Sequence, residues 1–263
     1  MNIHGIGIVF NRGRGIDLFE KALQEGWRMP DEVEIRGRKS FAYQVAQDTI
    51  SDKILLRKMR RADKLSRMAV IAAADALENS GMENANKKTI GIITSTAFGA
   101  HVTTFDFLND VLDYGEANVS PTTFSNSVHN AAASYISSAL DITGPTLTVT
   151  QFFFSFHCAL QLAKAWLDEN RCDYVLVGAV EQYGDVLGYI YDSKLIPAAD
   201  GRIKPFNFSP ACHVPGEGAA FFLVGKEDSG NIFCGIEEIS IGGDTSGIRA
   251  DLNIIDTDGM MHD

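Results

Sequence analysis

The sequence lacks several features that would place it in a specialised class. Its four cysteines, Cys158, Cys172, Cys212 and Cys234, are scattered and form no CxxC pair, so neither a zinc knuckle nor a disulfide framework is expected. A reduced, cytoplasmic protein follows from that cysteine usage. The apolar runs are short, as in 219–224, far below the roughly 20 residues of a membrane span, and the N-terminus has no basic leader.

Basic residues are also few. The chain has 23 Lys and Arg against 34 Asp and Glu, which gives a formal charge of -11. Nucleic acid and anionic membrane surfaces are bound by basic faces, so neither is expected as the main partner. A local basic patch remains compatible with this charge, and Arg57, Lys58, Arg60 and Arg61 form one. The segment 26–60 is the hardest to interpret: a solvated surface is one reading, and a docking patch for an acidic partner is the other.

The 263 residues, 45% of them hydrophobic, are typical of a soluble globular protein with a sizeable core, and they contain no repeat. Short apolar runs alternate with segments of helical periodicity. Strands are predicted at 3–10, 89–94, 146–150, 174–180, 219–224 and 232–241, the last two as a pair. Helices are predicted at 16–25, 63–80, 104–112, 124–140 and 155–169. This alternation predicts a layered α/β fold, and the alanines of 63–80 predict close packing of that helix.

The segment 144–165 carries the most chemical information. A strand runs into a tight turn and then a helix, which places the turn where backbone N–H groups face a reacting group. With Gly144 and Pro145 ahead of the strand, the stretch resembles the nucleophile elbow of the β-ketoacyl synthases. Other segments resemble the family in the same order: 60–64 with Ala69, 119–121 with 130–133, 204–207, and Gly216, Glu217, Gly218 and Ala219.

The resemblance implies the N-terminal half of a thiolase-like fold, a layered α/β/α arrangement with a mixed sheet of the five-stranded type. Residues 1–263 are expected to form a single ketosynthase-like N-terminal domain. The second half of the fold, which carries two catalytic histidines in the family, is expected to be absent. The glycines and Pro145 of the two motifs, and Glu217 between its glycines, are implied to be structural.

The departures from the family pattern are as informative as the matches. Counted from Gly144 and Pro145, the position of the family's catalytic cysteine falls on Phe153, and a phenyl ring cannot accept an acyl group. Phe152, Phe154 and Phe156 surround it, and these four rings are expected to fill the entrance of a pocket. Ser155 is the expected helix cap.

Cys158 is the obvious substitute nucleophile, but its position is unfavourable. Five helical residues beyond Phe153 correspond to a net rotation of about 140° and an advance of about 7.5 Å, so its thiol is expected to point away from the turn and to be buried. His157 is adjacent and does not face it. The other histidines are expected to be structural or on the surface, with His129 the one most worth locating. No dinucleotide or phosphate-loop motif is present, and neither a cofactor nor a metal is expected.

The resemblance therefore implies a catalytically silent ketosynthase-like subunit, similar to the chain-length factors of type II polyketide and aryl polyene systems. Its expected partners are an active ketosynthase, in a heterodimer, or a second copy, with an acyl carrier protein as a further partner. The role would be steric, with Thr104, Phe105 and Phe107 as tunnel or gate residues; ordinary core packing is the other reading of these side chains.

Two alternatives stay open from the sequence. The first is an active acyltransferase or ketosynthase with an unusual nucleophile or a split active site. The second is a structural homodimeric module. An apolar face that a second half would cover predicts obligate association, either with a second copy or with a ketosynthase.

Overall fold

The computed structural model describes residues 1–35, 37–52, 54–55, 57–204, 212–226, 231–244, 247–256 and 261–262, with side chains described as far as residue 241. The strands are β1 (Asn2–Phe10), β2 (Gly13–Arg14), β3 (Asp31–Ile35), β4 (Arg38–Ala42), β5 (Ile90–Thr96), β6 (Thr146–Thr150), β7 (Tyr174–Glu181), β8 (Ile196–Pro197), β9 (Cys212–His213), β10 (Gly218–Gly225), β11 (Cys234–Asp244), β12 (Gly247–Asp256) and β13 (Met261–His262). The helices are α1 (Ile16–Glu25), α2 (Lys64–Asn79), α3 (His101–Tyr114), α4 (Pro121–Asn126), α5 (Ala131–Leu140), α6 (Ser155–Asp168) and α7 (Asp185–Lys194), with a 3₁₀ turn at Glu116–Asn118.

One mixed sheet organises the described residues. Its strand order is β13-β12-β11-β1-β10-β7-β5-β6, and β2 pairs with β1 outside this path. Strand β5 is parallel to both β6 and β7, whereas β10 is antiparallel to β7 and β1. The five adjacent strands β1, β10, β7, β5 and β6 correspond to the five-stranded type of sheet that the family resemblance implied. Strands β11, β12 and β13 extend this sheet beyond β1.

The two faces of the sheet carry separate cores. Because side chains alternate along a strand, Ile92 belongs to the core beneath α2 and α5, while Ile93 belongs to the core beneath α6. The same alternation places Leu176 in the core beneath α2 and α5, and Val175 and Val177 in the core beneath α6. The predicted α/β/α layering is therefore confirmed.

Helix α2 lies unusually close to the sheet. A Cβ atom at Gly5 would lie 2.0 Å from the carbonyl oxygen of Ala76, and one at Gly7 would lie 1.9 Å from that of Ala72. Glycine in β1 and alanine in α2 thus meet backbone to backbone. The helix begins at Asp63, whose carboxylate accepts a hydrogen bond from Ser66 N at 2.9 Å. The close packing predicted for this helix is confirmed.

Several predicted elements differ from the structure. The predicted helix 124–140 is broken into α4 and α5, because the chain turns at 127–130 between them. The strands β10 and β11 do not pair with each other; each pairs with β1, on its opposite edges. The segment 26–60 is more than a solvated surface, since it forms the β3–β4 hairpin and fully buries Ile50 and Met59.

Two further points concern the described residues only. No described helix combines the length and the apolar character that crossing a membrane requires. Residues 205–207 of the expected motif at 204–207 lie outside the described part of the chain.

Candidate functional site

The predicted strand, turn and helix are confirmed at 146–168. Strand β6 forms one edge of the sheet, and residues 151–154, here called the elbow, connect it to α6. The residue before α6 is Phe154, in the left-handed conformation at φ 59°, and it provides no side-chain cap. Its carbonyl oxygen accepts the N–H of Cys158 at 2.9 Å. Ser155 is already the first helical residue, so the expectation that it caps the helix is wrong.

The four phenylalanines of this region lie in different environments. Phe152 and Phe153 are 71% and 67% exposed, so both rings project from the turn into solvent. Phe154 packs edge-on against His157 at a centroid distance of 5.6 Å. Phe156 points inward and contacts Phe222, with centroids 5.8 Å apart, in the core beneath α6. In the single chain, without a partner, the rings of Phe152 and Phe153 therefore form the surface of the elbow.

An aromatic cluster that the sequence analysis missed adjoins the elbow. Phe98, just after β5, lies edge-on to Phe152 at 5.5 Å, to Tyr191 of α7 at 6.2 Å and to His101 at 6.2 Å. Tyr191 in turn contacts His213 at 5.5 Å. The carboxyl ends of neighbouring parallel strands lie at the same edge of a sheet. Aromatic residues that follow β5, β6 and β7 in the sequence were therefore the signal that could have predicted this cluster.

Glu181, at the end of β7, holds the turn that carries Phe98. Its carboxylate accepts hydrogen bonds from Thr96 Oγ1 at 3.0 Å, from Ala97 N, and from Phe98 N at 3.4 Å. Gly99 N closes the turn by donating to Thr96 Oγ1 at 2.9 Å. Burial raises the pKa of Glu181, while the bonds from Ala97, Thr96 and Phe98 oppose that shift.

Cys158 is half-buried rather than buried, which corrects the expectation of a core thiol. Its Sγ lies 3.5 Å from Oε1 of Gln151, the first residue of the elbow. The thiol therefore faces the start of the turn, so the expectation that it points away from the turn is wrong. It does not face its adjacent neighbour His157. The ring of His157 contacts Phe154 and Phe156 instead.

The three residues expected at a tunnel or gate lie on α3. The hydroxyl of Thr104 donates to the carbonyl oxygens of Ala100 and Ser127, both at 2.9 Å, and Phe107 packs against Phe124 at 5.5 Å. These contacts join α3 to α4 and not to the elbow. Phe105 is 40% exposed and lines a cavity of about 530 Å³.

The side chain of Glu217, in the motif 216–219, is fully shielded from solvent. Its carboxylate accepts hydrogen bonds from Val45 N at 2.7 Å, from Tyr183 N at 3.1 Å and from the ammonium group of Lys64. The neighbouring Gly216 pairs with Tyr43, and Gly218 begins β10. One carboxylate thus joins three separate segments of the chain, which is a structural arrangement.

At the other motif, Pro145 O accepts a bond from Ile92 N at 2.9 Å, and a Cβ at Gly144 would lie 2.1 Å from Ile90 O. These residues fix where β6 begins beside β5. His129 is exposed and lines a cavity of about 570 Å³ between α5 and β6. Among the described residues, no three His, Cys, Asp or Glu side chains are grouped to hold a metal.

This fold and elbow define a ketosynthase-like domain. Residues 2–229 match the family model described as Beta-ketoacyl synthase, N-terminal domain. The chain belongs to that family, and the resemblance drawn from the sequence motifs is confirmed.

Curated relatives are distant and longer. The chain is 23% identical over 260 residues to 3-oxoacyl-[acyl-carrier-protein] synthase 2 of Coxiella burnetii, covering 92% of this chain and 63% of that protein. It is 22% identical over 262 residues to one chain of a polyunsaturated fatty acid synthase from a Thraustochytrium species, covering 86% of this chain and 13% of that protein. The chain therefore spans less than two thirds of either relative.

Solved structures share the fold. A β-ketoacyl synthase from Burkholderia phymatum superposes with a TM-score of 0.79 at 18% identity, covering 92% of this chain and 64% of that one. The ishigamide ketosynthase/chain length factor gives a TM-score of 0.74 at 18% identity, covering 93% and 68%. A type II polyketide synthase acyl-carrier protein in complex with its ketosynthase gives 0.73 at 16% identity, covering 92% and 63%. The thiolase-like assignment of the fold is confirmed.

Proposed function

We propose that this chain is a catalytically silent ketosynthase-like subunit that acts as a chain-length-factor-like partner of an active ketosynthase. The observation that carries the proposal is Phe153 in the elbow, at the position that the motif spacing assigns to the nucleophile. Covalent acyl transfer needs a group that attacks a thioester and then leaves again. A phenyl ring has neither a lone pair to donate nor a proton to exchange, so it cannot perform this step.

The side chains around Phe153 do not replace the missing thiol in this proposal. Phe152 and Phe153 present hydrocarbon to solvent, and Phe154 immediately precedes α6. Cys158 lies one helical turn further on, with its sulfur beside Gln151. Because its thiol contacts the elbow, Cys158 is the first candidate for the nucleophile of an active enzyme, so this residue helps to distinguish the two readings.

An exposed sheet edge beside the elbow supports association with a second ketosynthase-like chain. Thr146, Leu147 and Thr150 of β6 are exposed, and the edge offers unpaired backbone groups to another strand. Exposed apolar side chains flank this edge, namely Val128, Leu147 and Phe153 at 43%, 40% and 67%. One of the solved structures with the same fold is a ketosynthase/chain length factor.

A basic surface supports the proposed approach of an acyl carrier protein. Arg57, Arg60 and Arg61 are exposed, and within the described part of the chain none of them forms an ion pair, whereas Lys58 binds Asp141 at 2.6 Å. In a chain with a formal charge of -11, this cluster would attract an acidic partner locally. A solved ketosynthase of this fold is in complex with an acyl-carrier protein.

The steric role is tested by reconstitution with an active ketosynthase encoded beside this chain and its acyl carrier protein. Phe107→Ala removes a half-buried ring that packs on Phe124, and we expect longer products from the complex that contains it. Tyr114→Ala is the matched control, because it truncates an exposed aromatic side chain at the end of the same helix.

Two outcomes would overturn the partner role. One is the absence of any complex between the two chains on size-exclusion chromatography with light scattering. The other is a product length that Phe107→Ala leaves unchanged in a complex that does form. A stable dimer of this chain alone, with no complex, would instead support the structural homodimer.

A further inference from the structure

A second exposed apolar surface lies far from the elbow in sequence, where α1 ends. Leu23, Trp27 and Met29 are 66%, 46% and 49% exposed. The guanidinium group of Arg202 lies over the Trp27 ring, 4.4 Å from its centroid. We call Leu23, Trp27, Arg28, Met29 and Arg202 the Trp27 surface.

A small cavity opens within this surface. Its volume is about 280 Å³, and its lining includes Phe10, Phe19, Leu23, Trp27 and Tyr43. Phe10 and Phe19 meet edge-on at 5.4 Å and form part of the aromatic wall. Small-molecule pockets usually measure about 300–1,000 Å³, so this cavity is better suited to one apolar side chain than to a cofactor-sized ligand.

The two charged residues of the Trp27 surface are both basic, opposite in sign to the formal net charge of -11. Arg28 and Arg202 are exposed, and neither forms an ion pair with any residue in the described ranges. Arg12, which also borders the cavity, is already occupied, because it donates to Ala22 O at 3.1 Å and to Gly26 O at the end of α1. Two exposed planar guanidinium groups are suited to bidentate binding of carboxylates.

Local contacts hold the Trp27 surface in place. Tyr43 Oη donates to Arg28 O at 3.2 Å and ties the loop to the end of β4. Gly201 packs so closely that a Cβ there would lie 3.1 Å from Met29 Cε. The segment that carries Arg202 is thereby fixed against the segment that carries Trp27. Such preorganisation lowers the entropic cost of binding.

We propose that the Trp27 surface binds an acidic peptide segment of a partner protein, with one apolar side chain of that segment inserted into the cavity. The two arginines would contact carboxylates on either side of the inserted residue. This proposal is independent of the silent-subunit proposal, because it involves neither the elbow nor α3.

The chain contains two tryptophans, which makes the test direct. Trp166 is 9% exposed, so a binding-dependent change in fluorescence reports on Trp27. The probe is a glutamate-rich peptide with one central phenylalanine, titrated into the full chain at low salt. We expect a saturable change in emission. The same peptide with alanine in place of phenylalanine, and a lysine-rich version, should not produce it.

Variants locate the site. Arg28→Ala and Arg202→Ala should each weaken binding about tenfold, since each removes one charge-assisted contact. Leu23→Ser changes an exposed side chain at the cavity and should weaken binding by a similar factor. Arg171→Ala is the matched control for charge, because Arg171 is exposed, follows α6 and belongs to neither basic surface; it should leave binding unchanged.

Three results would overturn the proposal. The first is the absence of a saturable change in the unaltered chain. The second is equal binding of the alanine-centred peptide, or displacement of the peptide by millimolar inorganic phosphate, which would reduce the site to nonspecific attraction of anions. The third is a loss of binding in Arg171→Ala but not in Arg202→Ala.

Discussion

Removing the carboxylate of Glu217 should destabilise the domain strongly. The side chain is 0% exposed and joins Lys64 of α2, Val45 of the segment after β4, and Tyr183 after β7. Glu217→Ala leaves both backbone N–H groups without an acceptor and removes the partner of a mostly buried ammonium group. The side chain of Lys64 is only 25% exposed, so water can solvate its ammonium group only in part once the carboxylate is gone.

The magnitude follows from those losses. Each unsatisfied buried donor costs about 1–3 kcal/mol, and removing one member of a buried ion pair costs about 3–5 kcal/mol. These effects overlap, because they share one side chain, so we expect a loss of about 3–5 kcal/mol. The matched control is Glu169→Ala, whose partner Arg171 lies 2.5 Å away in a pair that is 58% and 55% exposed. An exposed pair of this kind contributes about 0–1 kcal/mol.

The assay is equilibrium urea unfolding followed by circular dichroism, with equal slopes required for a comparison of stability. If Glu217→Ala unfolds the chain outright, Glu217→Gln keeps the shape and supplies a measurable midpoint. A loss below about 1 kcal/mol for Glu217→Ala, similar to that of Glu169→Ala, would refute this account of the carboxylate, because truncating the carboxyl of a buried pair should cost several times more.

Two further predictions concern α2 and its neighbours. Gly7→Ala places a methyl group against Ala72 O and should lower the free energy of unfolding by about 1–3 kcal/mol. Gly235→Ala is the control, because its new methyl group would lie 3.4 Å from the nearest atom, and it should lower the free energy of unfolding less. The urea midpoints of the two variants test this difference. Burial raises the pKa of Asp75 to about 6, with Arg14 opposing the shift, so the folded state disfavours its charged form. The stability that protonated Asp75 provides is therefore present below its usual pKa of 3.8 and lost as the pH rises through about 6. Asp75→Asn should be more stable than the unaltered chain at pH 8, by up to about 3 kcal/mol, but not at pH 4.

Much of the fold was accessible from the sequence because its signals are local. Helix α1 and strand β6 have the bounds that periodicity predicted, and α2 lies within the predicted range 63–80. The elbow was accessible for a different reason. Its order of Gly144, Pro145, strand, turn and helix is a motif, and a motif can be counted along the chain.

The remaining features depend on contacts between distant segments. Nothing local indicates that Phe98 meets Phe152 and Tyr191, since these residues come together only when β5, β6 and β7 are placed side by side. The prediction that Ser155 caps α6 is wrong because of the backbone conformation of the turn. Ser155 is a good capping residue, but the turn is closed by Phe154 in a left-handed conformation, which places Ser155 inside the helix.

The central claim, that no residue of this chain accepts an acyl group, is tested most directly by intact-protein mass spectrometry after incubation with acyl-carrier-protein thioesters. An active ketosynthase, treated in parallel, shows that the thioesters are competent. We predict an unchanged mass for this chain and for its Cys158→Ala variant. A covalent acyl adduct on the unaltered chain would contradict the claim, and its loss in Cys158→Ala would identify the nucleophile.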